Sequence, residues 1–161
     1  MPAVHPSFQC VVISPLGKLL DCQTISAVLP AHDGEVGIWY NHIPMLCKLG
    51  TGIMRITDVP PDVDTSPAVT CLLIDGGFAL LAANVLTVTS LEAISPRDTK
   101  AEKIQRIIKG LEKSVAAALT PENRHHYTKK ISLLKQLLQQ YYPKEAIATI
   151  SSEPSEIIED A

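Results

Sequence analysis

Histidines, serines and acids supply most of the side chains with which this chain could do chemistry. His125 and His126 form an adjacent pair of the kind that binds metals, but neighbours on a helix point about 100 degrees apart. No third ligand stands near them, so a solvated helix face is the better interpretation. Ser14, Ser26 and Ser90 lie in no nucleophile elbow, and no phosphate-cradling Walker loop is present. Since no acid, base and nucleophile converge, the sequence predicts a protein that is not an enzyme.

Acids and prolines dominate residues 58–67. Asp58, Asp62 and Asp64 could hold a cation there, yet the glycine and glutamate of a calcium-binding loop are missing. The prolines prevent a strand from continuing through this stretch. We therefore expect an exposed hairpin loop and no metal site.

Residues 29–46 concentrate two glycines, two prolines and two histidines in one strand-turn-strand passage. Asp33-Gly34 is a dipeptide that suits a tight hairpin turn. Gly37 within the following strand suggests a bulge or the close approach of another backbone, and Pro44 argues against a central ladder position for the residues after it. The passage therefore reads as a sheet edge that meets a partner.

Two polar residues of this passage are candidates for partner contacts, and each has a simpler explanation. Glu35 follows the turn, where a solvated charge would prevent strands of other chains from pairing with the edge. His42 could be a core or turn histidine whose ring is satisfied by a backbone carbonyl. Residue type and spacing alone leave these alternatives open.

Composition limits the class of protein. The 161 residues allow one domain, or a small domain with an appendage, and with 4% aromatic residues the core must be aliphatic. The N-terminus lacks the features of a signal peptide, and the apolar stretch 78–91 is shorter than the roughly 20 residues of a spanning helix. We therefore expect reduced thiols and only indirect association with a membrane. The four thiols are Cys10, Cys22, Cys47 and Cys71.

Charge divides the chain into three blocks. Residues 1–94 hold three Lys/Arg against eight Asp/Glu, residues 95–142 hold ten against four, and residues 143–161 hold one against five. The net charges of the blocks are thus −5, +6 and −4. A basic block between acidic flanks predicts that residues 95–142 meet an acidic surface.

The same three blocks differ in their hydrophobic period. Residues 1–94 contain seven or more short, β-branched runs separated by turn signals, which predicts an antiparallel β-sandwich or flattened barrel. These runs cover residues 8–13, 19–29, 35–40, 53–57, 69–74, 78–81 and 85–91, with Gly50-Thr51-Gly52 and Gly76-Gly77 among the predicted turns.

Helical periodicity begins at residue 95. Ser95-Pro96 predicts the start of a first amphipathic helix, and Thr120-Pro121 predicts the start of a second. Residues 95–142 should therefore form an antiparallel helical hairpin that is separable from the β domain. The acidic segment 143–161 lacks a clear period, so we expect it to be disordered.

Several stretches, taken in order, resemble the epsilon subunit of F-type ATP synthase over roughly residues 8–141. They are residues 8–15, the passage 29–46, and the later segments 52–56, 75–78 and 84–88. The resemblance implies a non-catalytic central-stalk subunit that couples proton translocation through the c-ring to ATP synthesis. It implies contact of Glu35 with the c-ring loops and of His42 with the gamma subunit, with Gly37 shaping the same edge. The helical hairpin would reach the catalytic alpha and beta subunits and regulate ATP hydrolysis.

The resemblance also raises regulatory ATP binding, for which Asp98, Arg106 and Arg124 are the residues to test. Here the sequence departs from the family pattern, because Lys100 stands one position before the expected arginine and lysine lacks its bidentate fork. The expected location is the cytoplasmic face of a bacterial inner membrane, with a plastid thylakoid as the alternative. A nucleic-acid-binding β-barrel with a basic helical arm is the competing hypothesis, although few aromatics are available for base stacking.

Overall fold

Six β-strands precede two α-helices in the computed structural model, which describes residues 5–62 and 65–144. The strands are β1 (Phe8–Ser14), β2 (Gly17–Ala31), β3 (Gly34–Trp39), β4 (Met45–Asp58), β5 (Val69–Ala82) and β6 (Val85–Ile94). The helices are α1 (Ala101–Ala117) and α2 (Pro121–Tyr141). The predicted fold class, a β-sandwich or flattened barrel followed by a helical hairpin, is confirmed.

Five of the strands close into a barrel. The sheet runs in the order β1-β6-β5-β4-β2, and a further pairing of β1 with β2 closes it. β1 and β6 are parallel, whereas the other pairs are antiparallel. β3 is an additional strand that pairs with the second half of β2. β1 and β2 stand at the two ends of this strand order, so their contact is the seam at which the barrel closes. β1 pairs with the first half of β2.

Aliphatic side chains fill the interior of the barrel, as the composition predicts. Alternate residues of each strand point inward, and the largest of them are completely buried. The inward set includes Phe8, Val12, Leu29, Ile38, Leu49, Met54, Ile56, Leu72, Ile74, Leu86 and Val88.

Two glycine-rich stretches that the sequence assigns to turns lie inside long strands instead. Gly76 and Gly77 have φ of +70° and +116°, yet β5 pairs with β4 on both sides of them, with Leu49 opposite Gly77 and Thr51 opposite Asp75. Positive φ therefore bends β5 without ending it, because glycine lacks a Cβ that would forbid the bend. The described residues consequently form fewer and longer strands than predicted.

Pro44 is followed by a stretch of β4 that is paired on one side only, as the sequence predicts. Met45, directly after it, pairs with Leu81 of β5, whereas the pairing of β4 with β2 starts at Leu49. The proline restricts its own φ and removes its own N–H, and it stands just before the strand rather than within it.

The first helix begins five residues later than predicted. Its N-cap is Lys100, not Ser95, whereas Thr120 caps α2 as predicted by accepting a hydrogen bond from the Asn123 N–H. The Tyr142 hydroxyl donates to the Pro96 carbonyl at 2.8 Å and lies 3.1 Å from the Thr99 carbonyl. This long-range contact engages carbonyls that a helix starting at Ser95 would use itself.

The chain divides into two compact units, one from Met1 to Ser95 and the other from Pro96 to Ala161. In the second unit α1 and α2 pack against each other, and their buried side chains include Ile104, Ile108, Leu134, Leu137 and Leu138. Most of the segment predicted to be disordered, residues 145–161, lies outside the described residues.

Candidate partner-binding surface of the barrel

Glu35 stands at the start of β3, just after the turn that follows β2. It is not a merely solvated charge, because the Arg55 guanidinium of β4 reaches across β2 and donates to the Glu35 carboxylate at 2.7 Å. This hydrogen bond raises the pKa of Arg55 above its ordinary value. Both side chains stay about half exposed, so the pair contributes little to stability, about 1 kcal/mol or less. It does fix the direction of the carboxylate.

Gly37 neither forms a bulge nor receives another backbone, in contrast to both structural predictions made for it. β3 pairs with β2 in unbroken register, with Val28 opposite Gly37. The close neighbour is the Trp39 indole, because a Cβ on Gly37 would lie 2.6 Å from the ring atom Cη2. Trp39 is 60% exposed, so its ring covers the glycine and forms part of the outer surface. A glycine is needed at position 37 because a Cβ would collide with the Trp39 ring, not because the backbone adopts an unusual conformation.

His42 lies in the loop between β3 and β4 and matches its simpler interpretation, a histidine satisfied by the backbone. Its Nδ1 is 2.8 Å from the Ile43 carbonyl, and its N–H donates to the Trp39 carbonyl at 3.1 Å. Because a carbonyl oxygen can only accept, Nδ1 carries the proton in this geometry. Nε2 of the ring is then the atom with which His42 could accept a hydrogen bond from a partner.

Two asparagines hold the His42 loop in place, and because they lie 43 residues apart their pairing was not predicted from the sequence. Asn41 and Asn84 have φ of +58° and +59°, which asparagine tolerates better than most residues. The side-chain amide of Asn84 donates to Asn41 at 2.9 Å, and the Asn41 N–H donates back to the Asn84 side chain at 2.7 Å. This reciprocal pair ties the loop after β3 to the turn between β5 and β6.

An apolar surface extends from this loop over the outside of β4 and β5. We define the outer apolar face as Ile43, Leu46, Phe78 and Leu80, which are 74%, 69%, 53% and 51% exposed. Leu46 is paired with Leu80, so the side chains of these two leucines stand next to each other on the face opposite the core, and Phe78 lies two residues before Leu80, opposite Lys48. Adjacent exposed apolar residues of this kind mark interaction surfaces.

The outer apolar face was not predicted from the sequence, although a signal for it was present. Residues 78–82 are all apolar. In a strand with only one buried face, apolar and polar residues would alternate. Apolar residues on both faces of a strand indicate that a second surface covers its outer face.

The three residues predicted to bind nucleotide lie at different places in the helical unit. Asp98 precedes α1, Arg106 is exposed near its middle, and Arg124 lies in the first turns of α2. α1 has 17 residues and is thus about 25 Å long, so Asp98 and Arg124 stand at opposite ends of the hairpin. The described geometry does not bring the three side chains together, and ATP binding stays a prediction.

The described residues contain neither a metal-binding group of side chains nor a membrane-spanning helix. Within residues 5–62 and 65–144, no three His, Cys, Asp or Glu side chains are grouped so that they could hold a metal ion. Neither described helix is both long and apolar enough to cross a membrane. The His126 ring instead packs edge-on against Tyr127, with a centroid distance of 5.7 Å.

The family model described as the ATP synthase Delta/Epsilon chain, beta-sandwich domain, matches residues 7–96. The chain belongs to this family. An ATP synthase epsilon chain of Maricaulis maris is 29% identical over 113 residues, which cover 70% of this chain and 80% of that one. A chloroplastic ATP synthase epsilon chain of Mesostigma viride is 30% identical over 99 residues, covering 62% and 70%. The predicted non-catalytic, epsilon-type subunit of the rotary ATP synthase is thereby confirmed.

The fold also occurs in a solved assembly. A chain of the Euglena gracilis mitochondrial ATP synthase, from the OSCP/F1/c-ring structure, superposes with a TM-score of 0.61 at 15% identity. The superposition covers 83% of this epsilon-type chain and 82% of the other. At this identity the likeness establishes the fold alone.

Proposed function

We propose that this epsilon-type subunit belongs to the central stalk and couples proton translocation through the c-ring to ATP synthesis. Family membership supports this role, as do relatives named ATP synthase epsilon chain. The subunit would be held at the membrane indirectly, by the complex. A cytoplasmic location on a bacterial inner membrane is favoured, and the chloroplastic relative keeps a thylakoid location as the alternative.

The outer apolar face is the observation that carries the proposal, and we assign it to the gamma subunit. It continues into the His42 loop, so an apolar patch and an imidazole acceptor meet on one surface. Burying a half-exposed leucine or phenylalanine contributes about 1 kcal/mol. Phe78 and Leu80 together would therefore account for a change of about tenfold or more in affinity.

The test is gamma binding by a Phe78→Ala/Leu80→Ala variant. Leu16→Ala is a matched control, because Leu16 is fully exposed but lies in the turn between β1 and β2, outside the outer apolar face. We expect the double variant to bind gamma at least tenfold more weakly and the control to bind normally. Gly37→Leu, which displaces the Trp39 ring, should also weaken binding. If the double variant bound gamma as tightly as the wild type does, the outer apolar face would not be the gamma-binding surface.

The c-ring contact is assigned to the turn that carries Glu35. The ion pair with Arg55 holds the half-exposed carboxylate in place while neutralising much of its charge, so a single Glu35→Gln change should cost about 1 kcal/mol or less. Proximity is the sharper test. A cysteine at position 35, in a chain whose native cysteines are replaced, should cross-link to the c-ring loops in the assembled complex, whereas a cysteine at Leu16 should not.

The helical hairpin is assigned a regulatory contact with the catalytic alpha and beta subunits. Residues 95–142 carry ten of the 14 Lys/Arg, and exposed charges interact less as the Debye length falls from about 10 Å at 0.1 M salt to about 3 Å at 1 M. A chain ending at Ile94 should leave coupling intact while ATP hydrolysis rises and loses part of its salt dependence. Hydrolysis that stays at the full-length level across this range would exclude the regulatory role.

A further inference from the structure

Cys10 and Cys22 face each other across the β1–β2 seam that closes the barrel. They are direct partners in the antiparallel register, so their side chains lie on the same face of the sheet. Both point toward the core, with Cys10 fully buried and Cys22 partly exposed. Directly opposed residues of antiparallel strands have Cα atoms about 4.5–5.5 Å apart, which lies within the range of about 4.4–6.8 Å that disulfides span.

The other two cysteines lack this arrangement. Cys47 is paired with Ala79 and Cys71 with Arg55, so neither has a thiol directly opposite. All four residues are present as thiols. Pairing by register therefore singles out Cys10 and Cys22.

We propose that Cys10 and Cys22 form a dithiol site that a small disulfide, such as glutathione disulfide, oxidises to a cross-strand disulfide that locks the barrel seam. The Cys22 thiolate attacks one sulfur of the oxidant, forming a mixed disulfide and releasing one glutathione thiolate. Cys10 then attacks the Cys22 sulfur, and its proton passes to the second glutathione that leaves. Two protein thiols are thus oxidised by two electrons while one glutathione disulfide is reduced to two thiols.

The environment of the pair decides the order of these steps. Burial, followed by the charges of Cys22 and Asp21, raises the pKa of Cys10 to about 12, so Cys10 is a poor attacking thiol and the first step falls to Cys22. Asp21 is itself held by Lys18 at 2.7 Å and Gln9 at 2.9 Å. On the other side of β1, the partner of Cys10 in β6 is the uncharged Leu86. Exposure agrees with this order, because Cys22 is partly exposed whereas Cys10 is completely buried.

The experiment treats the full-length chain with glutathione disulfide and maps the products by non-reducing peptide mass spectrometry. We expect a linked Cys10–Cys22 peptide that dithiothreitol reverses, preceded by glutathione on Cys22. A Cys47→Ser/Cys71→Ser variant should give the same link, whereas Cys22→Ser should give none. Since the new bond closes a loop of about 13 residues, the Tm of the oxidised barrel should rise by about 10 °C or more.

Other products would overturn the proposal. A stable glutathione adduct on Cys22 that never resolves would show that Cys10 cannot reach it. Links that involve Cys47 or Cys71 at equal yield would show that the register does not select the pair. Because these readouts use the wild-type chain, they do not depend on whether a Cys10 variant folds.

Discussion

Replacing Gly37 by alanine should change the outer surface of the barrel without destabilising it. The added Cβ would lie 2.6 Å from Cη2 and 2.8 Å from Cζ3 of Trp39, closer than carbon atoms can approach. Both atoms belong to the tip of an exposed side chain, so the indole can rotate away into solvent. The barrel itself has no reason to move.

The magnitude follows from two opposing terms. Losing the contact between the ring and the strand costs about 1 kcal/mol, and replacing glycine by alanine within a strand returns about 0.5–1 kcal/mol. The free energy of unfolding of Gly37→Ala should therefore stay within about 1 kcal/mol of wild type. Gly77→Ala is the contrasting control, because its Cβ would overlap the Thr89 carbonyl oxygen at a φ of +116°. That change should cost about 3 kcal/mol or more.

Urea unfolding and tryptophan fluorescence together test this reasoning. Trp39 is the single tryptophan of the chain, so the emission reports on this ring alone. We expect the emission of folded Gly37→Ala to shift to the red, toward that of a fully hydrated indole, at nearly unchanged stability. An unchanged spectrum, or a loss of stability similar to that of Gly77→Ala, would refute the reasoning.

Three further changes test the loop, the hairpin and the core. Asn84→Ala should lose about 1–2 kcal/mol in urea unfolding, because it breaks the pair with Asn41 at a positive φ, and Asn84→Gly should lose less if backbone strain contributes. Thr120→Ala should lower the helix content by circular dichroism and cost about 1 kcal/mol, since the Asn123 N–H loses its cap, whereas Thr120→Ser should behave as wild type. Because the pKa of Cys10 is raised, the folded state binds more protons than the unfolded state between about pH 9 and 12. The contribution of Cys10 to the free energy of unfolding should therefore fall by up to about 1.4 kcal/mol per pH unit in that range. A Cys10→Ala variant should show a smaller loss of stability between pH 8 and pH 10, and an equal loss would contradict this assignment.

Local patterns determined which parts of the chain are β and which are helical. The β-branched runs, the turn after β2 and the Thr120 cap depend on residues close in sequence, so they could be predicted without knowing the fold. The predicted start at Ser95 failed for a related reason. Its capping signal is local, but carbonyls of the following turn are engaged by the Tyr142 hydroxyl, 46 residues away from Pro96.

The sequence by itself thus determined the two-part organisation and the family. The strand-like runs, the helical periodicity and the passage 29–46 all depend on residues that are close in sequence. Only the tertiary structure decided how the surface of the barrel is built. The Glu35–Arg55 pair joins residues 20 apart, and the asparagine pair joins residues 43 apart. Which side of β5 faces outward depended on how the barrel closes, and this closure exposed Phe78 and Leu80 while bringing Cys10 opposite Cys22. Contacts of this kind depend on strand register, which no short stretch of sequence specifies.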